Sequence, residues 1–189
     1  YPNLTIKHAD ILKCQIQDLV GDKPYKLVAN IPYYLTSALT RMFLQTPSPP
    51  QLIVLLVAKE LAQKMQARPP QHNLLACSIQ YFAELELLAT VPANCFYPAP
   101  QVASALIKLY PKPTIYERPP IYHQALFDLI KIGYSQKRKR LAKLLAAAKQ
   151  LPIKQVETAL HNCGLDPTAR AQQLGIEEWE NLHETLALH

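Results

Sequence analysis

Lys26-Leu27-Val28-Ala29-Asn30-Ile31-Pro32-Tyr33-Tyr34 is the stretch on which the reading of this chain turns. The apolar run Leu27 to Ala29, with a lysine before it and a proline soon after, predicts a buried strand. Asn30, Pro32 and Tyr33 then fall just past its carboxyl end, the place where open α/β sheets bind ligands. An amide, a carbonyl at or before a proline and an aromatic ring suit the holding of a planar exocyclic amine. The Asn30 side-chain oxygen and that carbonyl each accept one hydrogen from an NH2 group. Both bonds draw the nitrogen toward tetrahedral geometry and localise its lone pair. Tyr33 can stack on the base that bears the amine, a contact worth roughly 1–3 kcal/mol. The competing reading is a strand-end turn, with Asn and Pro serving backbone geometry and Tyr filling core.

Outward from this stretch, the upstream residues are short of signals. Leu4-Thr5-Ile6-Lys7 alternates and predicts a short strand, with Asp10 at its end as either a cofactor contact or a cap before Ile11-Leu12. Downstream, Thr36 and Ser37 are good N-cap types for a helix carrying Leu39, Met42 and Phe43. Leu52 to Val57 is a continuous apolar run, expected of a strand covered on both faces. Lys59 to Ala67 and Leu74 to Tyr81 predict helices, and Ala83 to Leu87 alternates as a strand with Glu84 and Glu86 outward. Phe96-Tyr97-Pro98-Ala99-Pro100-Gln101-Val102-Ala103-Ser104 follows, its two prolines holding Phe96 in extended backbone before a strand from Ala105 to Leu109. Phe96 is either a second stacking ring for a displaced base or a core residue under a loop.

Composition narrows the class. Of the 189 residues, 49% are hydrophobic and 18% charged, as in ordinary globular chains. No apolar run approaches the ~18 residues of a membrane span. Cys14, Cys77, Cys95 and Cys163 form no CxxC pair, and the six histidines show no HxxxH or HxH spacing, so no metal site is expected and the cysteines read as buried thiols. The net charge of +6 is unevenly spread. Between Asp128 and Glu157 stand Lys131, Lys137, Arg138, Lys139, Arg140, Lys143, Lys149 and Lys154 with no acidic residue; beyond them the balance turns acidic. Such blocks indicate a polyanionic partner on one face, or else a solvated helix face. The four glycines, Gly21, Gly133, Gly164 and Gly175, make no phosphate- or cofactor-cradling loop. With Tyr1 in first place rather than Met, the expectation is a chain lacking its N-terminal cofactor loop.

Three segments together carry a resemblance. Asn30-Ile31-Pro32-Tyr33, Phe96-x-Pro-x-Pro-x-Val-x-Ser104 and Ser135-Gln136-Lys137-Arg138-Lys139-Arg140 occur in the order found in the bacterial 16S rRNA adenine dimethyltransferases. Leu165-Asp166-Pro167-Thr168-Ala169-Arg170 and Lys59-Glu60-Leu61-Ala62 are similar to further segments of that family. The resemblance implies an α/β fold: the C-terminal part of a Rossmann-like S-adenosylmethionine-dependent methyltransferase sheet, then a small all-α domain. It places a partial catalytic domain at 1–110, a proline-rich linker at 111–120 and a helical RNA-binding domain at 121–189. Asn30, Pro32, Tyr33 and Phe96 are implied as catalytic, and Asp10 and Asn30 as contacts to S-adenosylmethionine. Lys137, Arg138, Lys139, Arg140 and Lys143, read as part of a basic helix, are implied as RNA contacts. The implied partner is 16S rRNA in the immature 30S subunit, in the cytoplasm, with no metal, no membrane and no oligomer. A non-catalytic rRNA-binding assembly factor and a resistance-type 23S rRNA methyltransferase are the alternatives. Alone, the chain is expected to bind no S-adenosylmethionine measurably and to methylate nothing.

Overall fold

The computed structural model describes residues 1–187; the last two positions of the 121–189 segment lie outside the described residues. Two compact units emerge, Tyr1–Lys59 with Glu86–Pro111, and Glu60–Leu85 with Lys112 onward. The chain therefore crosses between units after Lys59, after Leu85 and after Pro111.

The first unit is built on a sheet of order β1-β2-β4-β3, with β1 Lys26–Asn30, β2 Leu52–Ala58, β3 Ala83–Val91, which lies in this unit from Glu86 on, and β4 Ser104–Pro111. β1 runs parallel to β2, with Asn30 opposite Leu56, whereas β4 runs antiparallel to β2, with Leu56 opposite Leu106 and Ala58 opposite Ser104. Strand alternation puts Ile53, Leu55 and Val57 of β2 on the same face as Leu109, Ile107 and Ala105 of β4, and all six are buried. Fully burying each of the larger side chains contributes about 1.5–3 kcal/mol. Helix α1 spans Ile16–Val20 and α2 spans Thr36–Leu44, the latter burying Leu39, Phe43 and Leu44. The Tyr25 ring lies 6.4 Å from that of Phe43, joining the approach to β1 to α2.

Four sequence expectations are corrected here. β1 is an edge strand and not a buried one: among the described residues it pairs only with β2, and Val28 is 74% exposed. β2 is fully buried only at alternate residues and half-buried between them, so one face of the sheet is fully covered and the other only in part. Leu4 to Lys7 forms no strand, having no neighbour to pair with. Thr36 and Ser37 do not cap α2; Leu35 stands at the cap position without a side-chain bond, and Thr36 is the buried first helical residue.

The second unit is helical. It holds α3 Lys59–Gln66 from its second residue on, α4 Leu74–Phe82, α5 Pro120–Tyr134, α6 Leu141–Lys149, α7 Ile153–Asn162 and α8 Ile176–Ala187. Leu126 and Ile130 of α5, Leu141 and Leu145 of α6, Val156 and Leu160 of α7, and Trp179 and Leu182 of α8 are buried at helical spacing. Phe82 stacks on Phe127 at 5.7 Å, and Tyr81 meets Phe127 edge-on at 5.4 Å, locking α4 to α5. Gly164, at φ +74°, ends α7; its N–H and that of Leu165 return to the carbonyls of His161 and Leu160. The proline-rich 111–120 stretch is tied down, Lys112 donating from N–H to the Phe82 carbonyl and from Nζ to the Gln80 carbonyl.

Candidate active site and nucleic-acid interface

β1 stops because Pro32 has no N–H to continue the ladder. At φ −54° and ψ 134°, Pro32 turns the chain into a single 3-10 turn, Tyr33–Leu35, which runs directly into α2. The Leu35 N–H closes this turn by donating to the Pro32 carbonyl at 2.9 Å. One lone pair of that carbonyl is thereby engaged. Of the two carbonyls left open by the sequence, that of Ile31 is the freer acceptor. Asn30 ends β1 with its side chain exposed and hydrogen-bonded to no described residue. Its amide is available to a ligand.

Tyr33 is half-buried, and its hydroxyl lies 2.7 Å from Ser104 Oγ. Ser104 is the first residue of β4 and wholly buried. The two strand-end segments singled out by sequence are thus bonded to each other across 71 residues of chain. The register explains the meeting. Because β4 is antiparallel to β2, its amino end reaches the carboxyl ends of β1 and β2. The Lys59 N–H donates to the Ala103 carbonyl at 2.9 Å and closes that end. Phe96 follows a 3-10 turn, Ala93–Cys95, in extended backbone and is half-buried, while Tyr97 beside it is fully exposed. Ser104 is a candidate functional residue that local sequence does not reveal. Its signal was present, a hydroxyl at the head of a strand ending the proline-spaced segment, yet the partner lies too far along the chain to be inferred.

Asp10 caps a 3-10 turn, Ile11–Lys13, accepting from the Leu12 N–H at 3.1 Å through Oδ1. Oδ2 lies 3.9 Å from Lys13 Nζ, and the side chain is half exposed. The capping role offered by sequence is therefore filled, and Oδ2 is left to accept from an amino group. Asp10 and Asn30 are thus chemically suited to an adenosine-bearing cofactor, each offering an exposed acceptor. Among the described residues no group of three or more His, Cys, Asp or Glu is placed to hold a metal ion. Cys77 alone of the four cysteines is fully buried, and burial pushes its thiol up to about 12; Cys95 is exposed, against the buried-thiol expectation.

In the second unit the basic cluster departs from its expected helix. α5 ends at Tyr134 and α6 begins at Leu141, so Lys137, Arg138, Lys139 and Arg140 form an exposed turn between them, with Lys143 exposed on α6. Continuous helix is prevented because the Leu141 N–H donates at 2.8 Å to the Ala169 carbonyl, a partner from another part of the chain. That carbonyl is itself fixed by the Asp166 turn. Asp166 Oδ1 accepts from the Thr168 N–H and from Thr168 Oγ1, both at 2.7 Å, and its main-chain carbonyl accepts the Ala169 N–H. The Thr168 bonds, with Arg140's charge as a lesser contributor, hold the Asp166 carboxyl below its usual range. The Asp-Pro-x-x-Arg segment is thus the brace of the basic turn. No helix among the described residues is long and apolar enough to cross a membrane.

A parallel pair closed by an antiparallel strand, with an amide-proline-aromatic turn at the strand ends, makes an α/β arrangement that matches the Rossmann-like fold of solved methyltransferases. Solved structures agree. The crystal structure of a dimethyladenosine transferase from Plasmodium falciparum superposes with a TM-score of 0.78 at 22% identity, covering 96% of this chain and 72% of that one. The 23S rRNA methyltransferase ErmE superposes at 0.73 and 23% identity, over 98% and 73%. At such identities the likeness concerns the fold. The model of the ribosomal RNA adenine dimethylase family matches residues 1–188, and the chain belongs to that family. Ribosomal RNA small subunit methyltransferase A of Dehalococcoides mccartyi strain CBDB1 is 38% identical over 184 residues, 96% of this chain. Its counterpart in Lachnoclostridium phytofermentans is 34% identical over 197 residues, covering 98% of this chain and 67% of that protein. The chain spans 62% of the length of the Dehalococcoides relative.

Proposed function

We propose that this chain carries the target-base side of an rRNA adenine N6-dimethyltransferase acting on two adjacent adenines near the 3′ end of 16S rRNA in the immature 30S particle, in the cytoplasm. The observation that supports it most is the unpartnered Asn30 amide beside a proline-set backbone and a Tyr33 ring tied to Ser104. In this reading the adenine leaves its stack and lies on Tyr33, with Phe96 as a second stacking surface. Asn30 Oδ1 and the Ile31-Pro32 backbone accept the two N6 hydrogens, aiming the nitrogen lone pair. S-adenosylmethionine, when bound, supplies an electrophilic methyl group, with Asp10 and Asn30 as the residues here that hold its adenosine side. No strong base among these residues is needed, because the displaced N6 proton is lost to solvent. Orientation by Asn30, Pro32 and Tyr33 therefore carries most of the rate. Lys137, Arg138, Lys139, Arg140 and Lys143 hold the RNA through phosphates, which position it without reading its sequence.

The test is methyl transfer onto unmethylated 30S particles by a protein of the relatives' length that contains this chain. Two methyl groups on each of two neighbouring adenines are expected. Methylation of 23S rRNA instead would favour the resistance-type activity. Tight rRNA binding with no transfer would reduce the chain to an assembly factor.

A further inference from the structure

Resting on the reading that Tyr33 stacks the target adenine, we propose that Ser104 is a positioning residue, setting the angle at which the Tyr33 ring meets the base. Tyr33 sits at the first position of the 3-10 turn, so its Cα is fixed by Pro32 and by the Leu35–Pro32 hydrogen bond. Backbone alone leaves the ring free to turn about its side-chain bonds. The second point of attachment is at the far end of the ring, where Oη lies 2.7 Å from Ser104 Oγ. Ser104 cannot follow a moving ring. It is fully buried, paired in register with Ala58 of β2, and preceded by Ala103, whose carbonyl is held by the Lys59 N–H. Tyr33 Oη is the partner of Ser104 Oγ among the described residues. A stacking platform works only if its plane is set before the base arrives, since a ring ordered on binding subtracts its ordering cost from the contact. The bond also joins the Asn30–Tyr33 turn to the segment that bears Phe96, so both proposed stacking rings answer to one strand end.

The proposal separates orientation from affinity, and a mutant cycle tests it. Ser104→Ala, Tyr33→Phe and the double variant are compared with Tyr33→Ala in the protein of full relative length, on unmethylated 30S particles. Losing one hydrogen bond predicts a fall in kcat of roughly three- to tenfold for Ser104→Ala and for Tyr33→Phe alike. The double variant is expected to fall no further than either single one, because both remove the same bond. The KM for particles should move by less than about twofold, since phosphates set affinity. In an RNA with 2-aminopurine at the target position, both single variants should weaken the stacking quench seen with the unsubstituted protein. Unchanged kcat in Ser104→Ala, or losses that multiply in the double variant, overturns the role given to Ser104. Should Ser104→Ala not fold, Tyr33→Phe decides alone: a wild-type kcat overturns the proposal, and a reduced one supports it. Wild-type activity in Tyr33→Ala would sink the stacking reading itself, which separates the two failures.

Discussion

Asn30 ends a strand, and its backbone pairs with β2 whatever side chain it carries. Because its amide is exposed and unpartnered within the described residues, Asn30→Ala removes nothing that the fold uses. We expect that variant to lose methyl transfer, by two orders of magnitude or about 2.7 kcal/mol and more of transition-state stabilisation, while keeping its rRNA affinity in a filter-binding titration. Parallel loss of both would make Asn30 a structural residue. Gly133 is the opposite case, fixed by packing alone. A Cβ there would lie 2.5 Å from Trp179 Cη2 and 2.9 Å from Leu141 Cδ1. Both neighbours are fully buried and cannot withdraw. Gly133→Ala should therefore cost about 1–3 kcal/mol of stability by denaturant melting, despite the higher helix propensity of alanine. An unchanged midpoint would mean that α8 shifts easily against α5.

The basic turn belongs to the scale of elements. Replacing Lys137, Arg138, Lys139 and Arg140 with alanine should weaken RNA binding and flatten its salt dependence, each lost phosphate contact lowering the log–log slope by about 0.7–0.9. A slope that stays put returns the turn to plain solvation. Sequence alone made this segment helical for an understandable reason: Lys, Arg and Gln are good helix formers and an apolar stripe flanks them on both sides. What interrupts the helix is a carbonyl 28 positions away, Ala169, and no local pattern announces such a partner. The same limit explains β1. Leu27 to Ala29 reads as buried because all three residues are apolar, but the face that carries Val28 lacks a covering layer among the described residues, so every second residue stands in water. By contrast α7 was legible to its end, since its buried Val156, Ala159 and Leu160 fall on one helical face and Gly164 follows its last turn. The candidate site was legible as two separate segments; that they are bonded through Ser104 needed the register of β4 on β2.

Across the second unit, His72, His123 and His183 are all held below the usual histidine range, in each case first by burial. In His72 the neutral ring has Nδ1 2.9 Å from the Leu174 carbonyl, joining the entry of α4 to the turn before α8. A depressed pKa means that the unfolded chain takes up protons first. Stability is thus full above about pH 6.5, the unperturbed histidine value, and is lost as the pH falls below it. The melting temperature should drop between pH 7.5 and 5.5 at fixed ionic strength, by roughly 2–4 °C for each kcal/mol lost. His72→Asn, which keeps a donor for Leu174, should lessen that drop; an undiminished drop would clear His72 of the effect.

The antiparallel direction of β4 against β2 has a consequence for chain economy. Had β4 run parallel to β2, its leading segment would start at the opposite end of the strands. An eight-residue strand spans roughly 26 Å at about 3.3 Å per residue, so Phe96 and Ser104 would begin about that far from Tyr33. To return them, the polypeptide would need a further crossover of a dozen or more residues. Reversing one strand brings them to the correct rim with no added length, and makes the direction of β4 as much a requirement of the chemistry as any side chain.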